Sequence, residues 1–323
     1  MLKSLCVIAF IALSSLAAQA QSWPEKPVKI IVPYSAGGGT DILARVMADR
    51  LGDALGQRFF VENRPGAGGM IGAEAVAKSP PDGQTLLVSS PAEIAINQHV
   101  YKKMSYDPLK DLAPITLIAR TPLIITAHPD LKITSPSELV ALLKAKPGRF
   151  NYSSPGLGSA QHLAGEFFKK IASVDMKHVA YRGAAPAVQD VVAGTVPLTI
   201  SGVPPVLELI KSDKLRAIAV TSAKRSPVLP RISALAELGQ GFADFDLTNW
   251  FGLLVPAEVS EEIRRKLHQA AVKALADSTV RERITEQGAE GVGNTPAEFA
   301  AFIGAESERY GRIAKLTEVR VDP

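Results

Sequence analysis

The sequence predicts an α/β protein built as two compact domains, and three observations carry that expectation. An apolar run, Val28 to Val32, is stopped by Pro33 and followed by Gly37-Gly38-Gly39. Ile42, Leu43, Val46, Met47, Leu51 and Leu55 then recur at helical spacing, which reads as strand, tight loop, amphipathic helix. A second unit of the same kind lies in the other half of the chain. There Phe150 to Ser154 is strand-like, Pro155 to Ser159 is glycine-rich, and Leu163, Phe167, Phe168 and Ile171 follow at helical spacing with Ser159 placed to cap. Strands alternate with helices between these units, the pattern of a parallel sheet, and 323 residues suit two bodies better than one.

The first twenty residues stand apart from the fold. Lys3 is a short basic start, Leu5 to Leu16 is an apolar core, and Ala18-Gln19-Ala20 is a small-x-small cleavage site, together a secretory signal. Its twelve residues fall short of the roughly 20 that cross a bilayer. The one cysteine, Cys6, lies inside this segment, so the exported chain is expected to form no disulfide and to use no thiol as ligand or nucleophile. Formal charge is +4 over the whole chain and spread along it, with no basic block interleaved with aromatics. A nucleic-acid surface is not indicated.

The elements follow in order. After the first helix, residues 58–61 form a short strand, Glu62 to Gly69 a second glycine-rich loop, residues 72–78 a helix and residues 85–88 a strand ending at Ser89-Ser90. Residues 115–118 and 123–126 read as separate strands on either side of Arg120-Thr121-Pro122, the expected first crossing between domains. Ser135-Pro136-Ser137-Glu138 and Thr295-Pro296-Ala297-Glu298 are capping boxes with proline at the first helical position, and Ser260 with Glu261 and Glu262 opens another helix. Strands at 177–181, 198–200, 215–221 and 251–255, and a helix at 185–193, complete the pattern; the chain is expected to cross back between Phe242 and Trp250.

In parallel sheets ligands sit beyond the carboxyl ends of strands, where Tyr34, Ser35, Ala36, Gly37 and Gly38 fall, and Ser90 beside them. Glycines admit positive φ and close backbone approach, and a helix N-terminus offers unpaired amides and partial positive charge, so an anion is the natural guest. Opposed loops, one per domain, would hold a carboxylate between them in an interdomain cleft. Asp41 reads as support for its loop, because a bare carboxylate would repel that guest. His162 either meets a ligand or bonds the loop before it, the commoner role of a lone histidine. Tyr34, Tyr181 and Trp250 either line the cleft or pack in the core; Arg182 either pairs with a carboxylate or points to solvent. No nucleotide fingerprint, nucleophile elbow or zinc-protease motif occurs, and the five histidines lack metal-ligand spacing. No cofactor, metal or catalytic residue is expected.

A longer series of motifs carries a resemblance. It comprises Trp23-Pro24-x-Lys26-Pro27, Pro33-Tyr34-x-Ala36-Gly37-Gly38-x-x-Asp41 and Val61-Glu62-Asn63-Arg64-Pro65-Gly66-Ala67-Gly68-Gly69. Pro81-Asp82-Gly83-x-Thr85-Leu86-Leu87, Tyr106-Asp107-Pro108, Gly156-x-Gly158-Ser159-x-x-His162-Leu163, Tyr181-Arg182-Gly183, Ala219-Val220-Thr221-Ser222 and Trp250-Phe251-Gly252-Leu253-Leu254 continue it. With these the chain resembles the Bug-type extracytoplasmic solute receptors of tripartite tricarboxylate transporters.

The resemblance implies a two-domain, type II periplasmic-binding fold with two crossovers: residues 21–121 with 248–323, and residues 122–247, after a signal of residues 1–20. It implies a monomer in the periplasm that captures a small mono- or dicarboxylate and passes it to membrane permease subunits. The carboxylate would be held by amides of Ser35 to Gly38 and of a facing loop, Ser154 to Ser159, including Gly158, with Ser90 and Tyr181 close by. Members that bind amino acids place an acid after the strand ending here at Ile200; Ser201-Gly202 stands there instead, so a plain carboxylate is expected. Other readings that fit the same residues are a sensor for a membrane signalling protein, a receptor for an aromatic or cyclic-amide solute and, more remotely, a secreted hydrolase.

Overall fold

The computed structural model describes residues 23–239 and 241–321; the signal segment and its expected cleavage at Ala20 lie outside them. One mixed sheet organises the described chain. Its strands are β1 (Val28–Val32), β2 (Phe59–Asn63), β3 (Thr85–Ser89), β4 (Leu112–Ala127), β5 (Asn151–Ser154), β6 (Lys177–Ala180), β7 (Leu198–Gly202), β8 (Arg216–Val220), β9 (Thr248–Pro256) and β10 (Glu290–Gly291). The order is β2-β1-β3-β9-β4-β7-β5-β6, with β10 and β8 also pairing with β4.

Around the sheet lie α1 (Gly39–Leu55), α2 (Met70–Ala77), α3 (Asn97–Val100), α4 (Pro136–Ala145), α5 (Ala160–Ala172) and α6 (Ala184–Val192). The later helices are α7 (Leu207–Lys211), α8 (Glu261–Ala276), α9 (Ser278–Glu286) and α10 (Pro296–Thr317). None of the described helices is long and apolar enough to cross a membrane.

The unbroken apolar run of β1 follows from burial on both faces. Val28, Ile30 and Val32 pack with Leu43, Met47 and Leu51 of α1, whereas Ile31 turns to Ala73 and Val76 of α2 and to Ile94 and Ile96. β1 runs parallel to β2 and β3, and β5 runs parallel to β6 and β7. β9 is antiparallel to β3 and β4, and β4 is antiparallel to β7 and β8.

The two strands expected around Arg120-Thr121-Pro122 are one strand of 16 residues, β4. Its ladder with β9 runs from Leu112 to Pro122, and the ladder with β7 begins at Leu123. Proline removes a ladder donor, and here it stands where one partner is exchanged for another. The chain therefore passes from one half of the sheet to the other without leaving extended backbone, and β9 returns alongside it. Residues 278–286 form a helix that the sequence reading passed over, and Ala92–Ile96 is a π-helical turn.

Local capping explains the starts of α4, α5, α8, α9 and α10. Ser135, Ser159, Ser260, Asp277 and Thr295 each accept a backbone N–H of the first turn through their side chains. α1, α2 and α6 differ: their N-caps are Gly38, Gly69 and Gly183, and none has a side-chain cap; α3 and α7 also lack one.

Candidate ligand-binding site

The uncapped starts of α1 and α6 meet at a cavity between the two halves of the sheet. Gly38, Gly39 and Thr40 from α1 and Ala184 from α6 line it, with Tyr34 and Ser90 on one side. Pro155 and Gln161 enter from the second glycine-loop unit, Gly202 and Pro205 from beyond β7, and Asn249 and Phe251 from β9. Its cavity volume is about 30 Å³, room for little more than a water molecule. No Asp, Glu, Lys, Arg or His side chain lines it. A position for a Cβ on Gly38 lies 3.7 Å from the Ala184 Cβ and 3.8 Å from the Ala184 nitrogen, so the two helix starts are in contact range.

The amides expected to face a ligand are displaced along the chain. Ser35 N–H donates to the Arg182 carbonyl (3.0 Å), and Gly37 N–H donates to Asp41 Oδ2 (2.9 Å). Ala36 and Gly37 are exposed at the surface. The first amides of α1, from Gly39 onward, have no partner within the helix and stand at the cavity wall. The facing loop shows the same shift. Gly156 N–H bonds Ser154 Oγ, Gly158 N–H bonds His162 Nδ1 and Ser159 N–H bonds the Gly156 carbonyl. Ser154, Gly158 and Ser159 therefore brace that loop, and the loop's own contribution to the wall is Pro155.

Asp41 is the loop support the sequence suggested. Its carboxylate accepts from Gly37 N–H, from Arg45 and from Asn63 Nδ2. Burial opposes its ionisation, but these bonds, led by Arg45, hold its carboxyl below the usual range. His162 is buried, stacks on His178 with ring centroids 4.0 Å apart, and stands outside the cavity wall. Burial pushes the His162 imidazole down to about 4 and that of His178 to about 2. Both rings are neutral packing elements.

Tyr181 donates to Asp190, and Arg182 is exposed. Both line a second, roomier pocket of about 350 Å³ that shares Tyr34 and Pro155 with the cavity. Trp250 is core: it is fully buried, donates through Nε1 to Glu306 and packs edge-on against Phe299 and Phe302. Ser201 is buried on β7 beside Gly202, and its hydroxyl has no partner.

Beneath Tyr34 and Ser90 lies a buried acid that sequence reasoning missed. Glu93 accepts from the Tyr34 hydroxyl (2.8 Å) and from the Ser90 amide (2.7 Å), and Ser90 Oγ lies 3.2 Å away. Burial pushes its carboxyl up to about 7, against the hydrogen bonds that favour the charged form. The one sequence signal was a glutamate inside the apolar run Ala92 to Ile96. Gln161, Asn249 and Phe251 were also missed as wall residues.

Against this geometry the likeness to known proteins is decisive. The family model described as "Tripartite tricarboxylate transporter family receptor" matches residues 43–319. The chain belongs to that family. Like its relatives it is a periplasmic-type solute receptor with the α/β fold of that class. It is 38% identical to Protein BugT of Bordetella pertussis over 325 residues, covering 99% of each chain.

Among solved structures, R. palustris Rpa4515 with adipate superposes with a TM-score of 0.89 at 35% identity, covering 92% of this chain and 99% of that one. MatC from Rhodopseudomonas palustris with bound malate gives a TM-score of 0.85 at 28% identity, covering 90% and 99%. Family and fold are those of solute-binding receptors rather than enzymes.

Proposed function

We propose that this receptor captures a small mono- or dicarboxylate in the cavity between the starts of α1 and α6 and releases it unaltered. The observation that carries the reading is the pairing of two glycine-capped, side-chain-free helix N-termini across one cavity without a charged side chain. Such termini present amide donors and partial positive charge to an anion, so neutral walls suffice for a carboxylate. The adipate and malate named for two structural relatives support the same class of guest.

In this reading residues 21–121 with 248–323 form one moving body and residues 122–247 the other, hinged where β4 exchanges β9 for β7. Tyr34, Ser90 and Ser201 flank the bound solute, while Asp41, Ser154, Gly158, Ser159 and His162 act through the loops they brace. The mature chain works in the periplasm after removal of residues 1–20 and delivers its solute to the permease subunits of a tripartite tricarboxylate-type transporter. Closure follows because the solute bonds both bodies at once only in the closed state. Calorimetric titration of the purified chain with mono- and dicarboxylates of three to six carbons tests the reading. Saturable one-to-one binding of at least one is expected, and silence across the whole series contradicts it.

A further inference from the structure

Resting on the carboxylate reading above, we propose that the solute carries a neutral hydrogen-bond donor, a hydroxyl or an amide N–H, as well as its carboxylate. Asn249 supplies the acceptor for it. Asn249 is 6% exposed, lies on the cavity wall, and its Oδ1 has no hydrogen-bond partner.

The position is built by the crossing strands. Thr121 of β4 faces Asn249 of β9 in the ladder, and Gly202 ends β7 beside them. A Cβ built on Gly202 would lie 4.0 Å from Asn249 Nδ2, so glycine there keeps the carboxamide uncovered. Ser201 Oγ, on the neighbouring residue, is a second buried oxygen without a partner. Gln161 on the opposite body is 6% exposed, lines the same cavity and has no side-chain hydrogen bond among the described residues.

A buried acceptor left unpaired costs about 1–3 kcal/mol. An ionised mono- or dicarboxylate cannot relieve it, because its oxygens only accept. A hydroxyl or amide N–H can. An ammonium donor is disfavoured here, because no acid lines the cavity to balance it. A site shaped to bond such a group rejects the analogue that lacks it, since rejection leaves the site's own polar group bare.

Matched pairs titrated at neutral pH test this: malate against succinate, 3-hydroxyadipate against adipate, and 5-oxoproline against cyclopentanecarboxylate. In at least one pair the donor-bearing acid should bind at least about tenfold more tightly, near 1.4 kcal/mol. A preference in the first two pairs assigns a hydroxyl, and one in the third assigns an amide. Asn249→Leu, of similar volume, should cut that preference to within about threefold, the scale of an unpaired neutral contact, while the plain acid keeps its affinity. Equal or weaker binding of the donor-bearing member in every pair that binds overturns the inference and leaves carboxylate capture standing. No binding by any of the six overturns capture itself.

Discussion

Glu93 shows how one buried side chain ties the cavity wall to the core. Its carboxyl sits under Tyr34 and Ser90, both on the cavity wall, and Gly69 leaves room for it: a Cβ there would come within 2.9 Å of Glu93 Oε2. Burial raises its pKa from 4.5 to about 7. The folded state therefore keeps a proton between those values that the unfolded state has already released. The stabilisation this proton brings is complete below about pH 4.5, declines as pH rises toward 7, and is level above that. Glu93→Gln cannot titrate. Relative to wild type, its unfolding midpoint should rise progressively between pH 4.5 and 7 and then stay constant. A difference that does not vary across that window contradicts the assignment. The stacked pair His162 and His178 works with the opposite sign: their lowered values contribute stability above the unfolded histidine pKa that is lost as pH falls through the folded values.

At the scale of elements, the decisive contrast is between helices that are capped and helices that are not. Ser135, Ser159, Ser260 and Thr295 were legible as caps because a cap is local chemistry between neighbours in sequence. The open starts of α1 and α6 were legible only in part. Gly37 to Gly39 announced a loop and a helix, and Asp41 its support, which takes the Gly37 amide; but Ser35 gives its amide to Arg182, a partner that spacing does not disclose. In the proposed site the binding face therefore begins at Gly39. Thr40→Asp tests this at the right position. An acid in the first turn suits the helix dipole, so stability should hold, whereas like charge against a carboxylate costs several kcal/mol. Affinity for any carboxylate ligand should drop at least about 100-fold by calorimetry with an unchanged unfolding midpoint. Retained affinity would move the solute away from α1. The single strand β4 was illegible for a related reason: Pro122 reads as a breaker in sequence, and its role as a change of partner exists only in the sheet.

For the whole molecule, the glycine-rich loops lie at the seam where the two halves of the sheet meet. A Cβ on Gly68 would lie 2.6 Å from the Leu157 carbonyl, one on Gly158 2.5 Å from Asn97 Oδ1, and one on Gly183 2.1 Å from Ser35 Oγ. The Ser35 to Arg182 backbone bond crosses the same seam. These motifs are thus also places of close approach, to a facing backbone at Gly68 and Gly183 and to the Asn97 side chain at Gly158, where glycine leaves room. The overall α/β plan and the two glycine-loop units were visible in the sequence; which loops touch was not, because those contacts join residues 61 to 148 positions apart. Gly183→Ala should prop the bodies apart. Its radius of gyration by small-angle scattering should stay at the unligated value when solute is added, and affinity should fall at least about tenfold, by the population-shift relation between closure and binding. Normal compaction and affinity would show that the seam is not what closes.

A crystal structure of the chain grown with a bound dicarboxylate tests the central claim most directly. The account predicts one carboxylate with its oxygens about 2.7–3.2 Å from the first amides of α1 and α6, unaltered in chemistry and enclosed by both bodies. A solute bound elsewhere, or held in the cavity without either helix start, would contradict it.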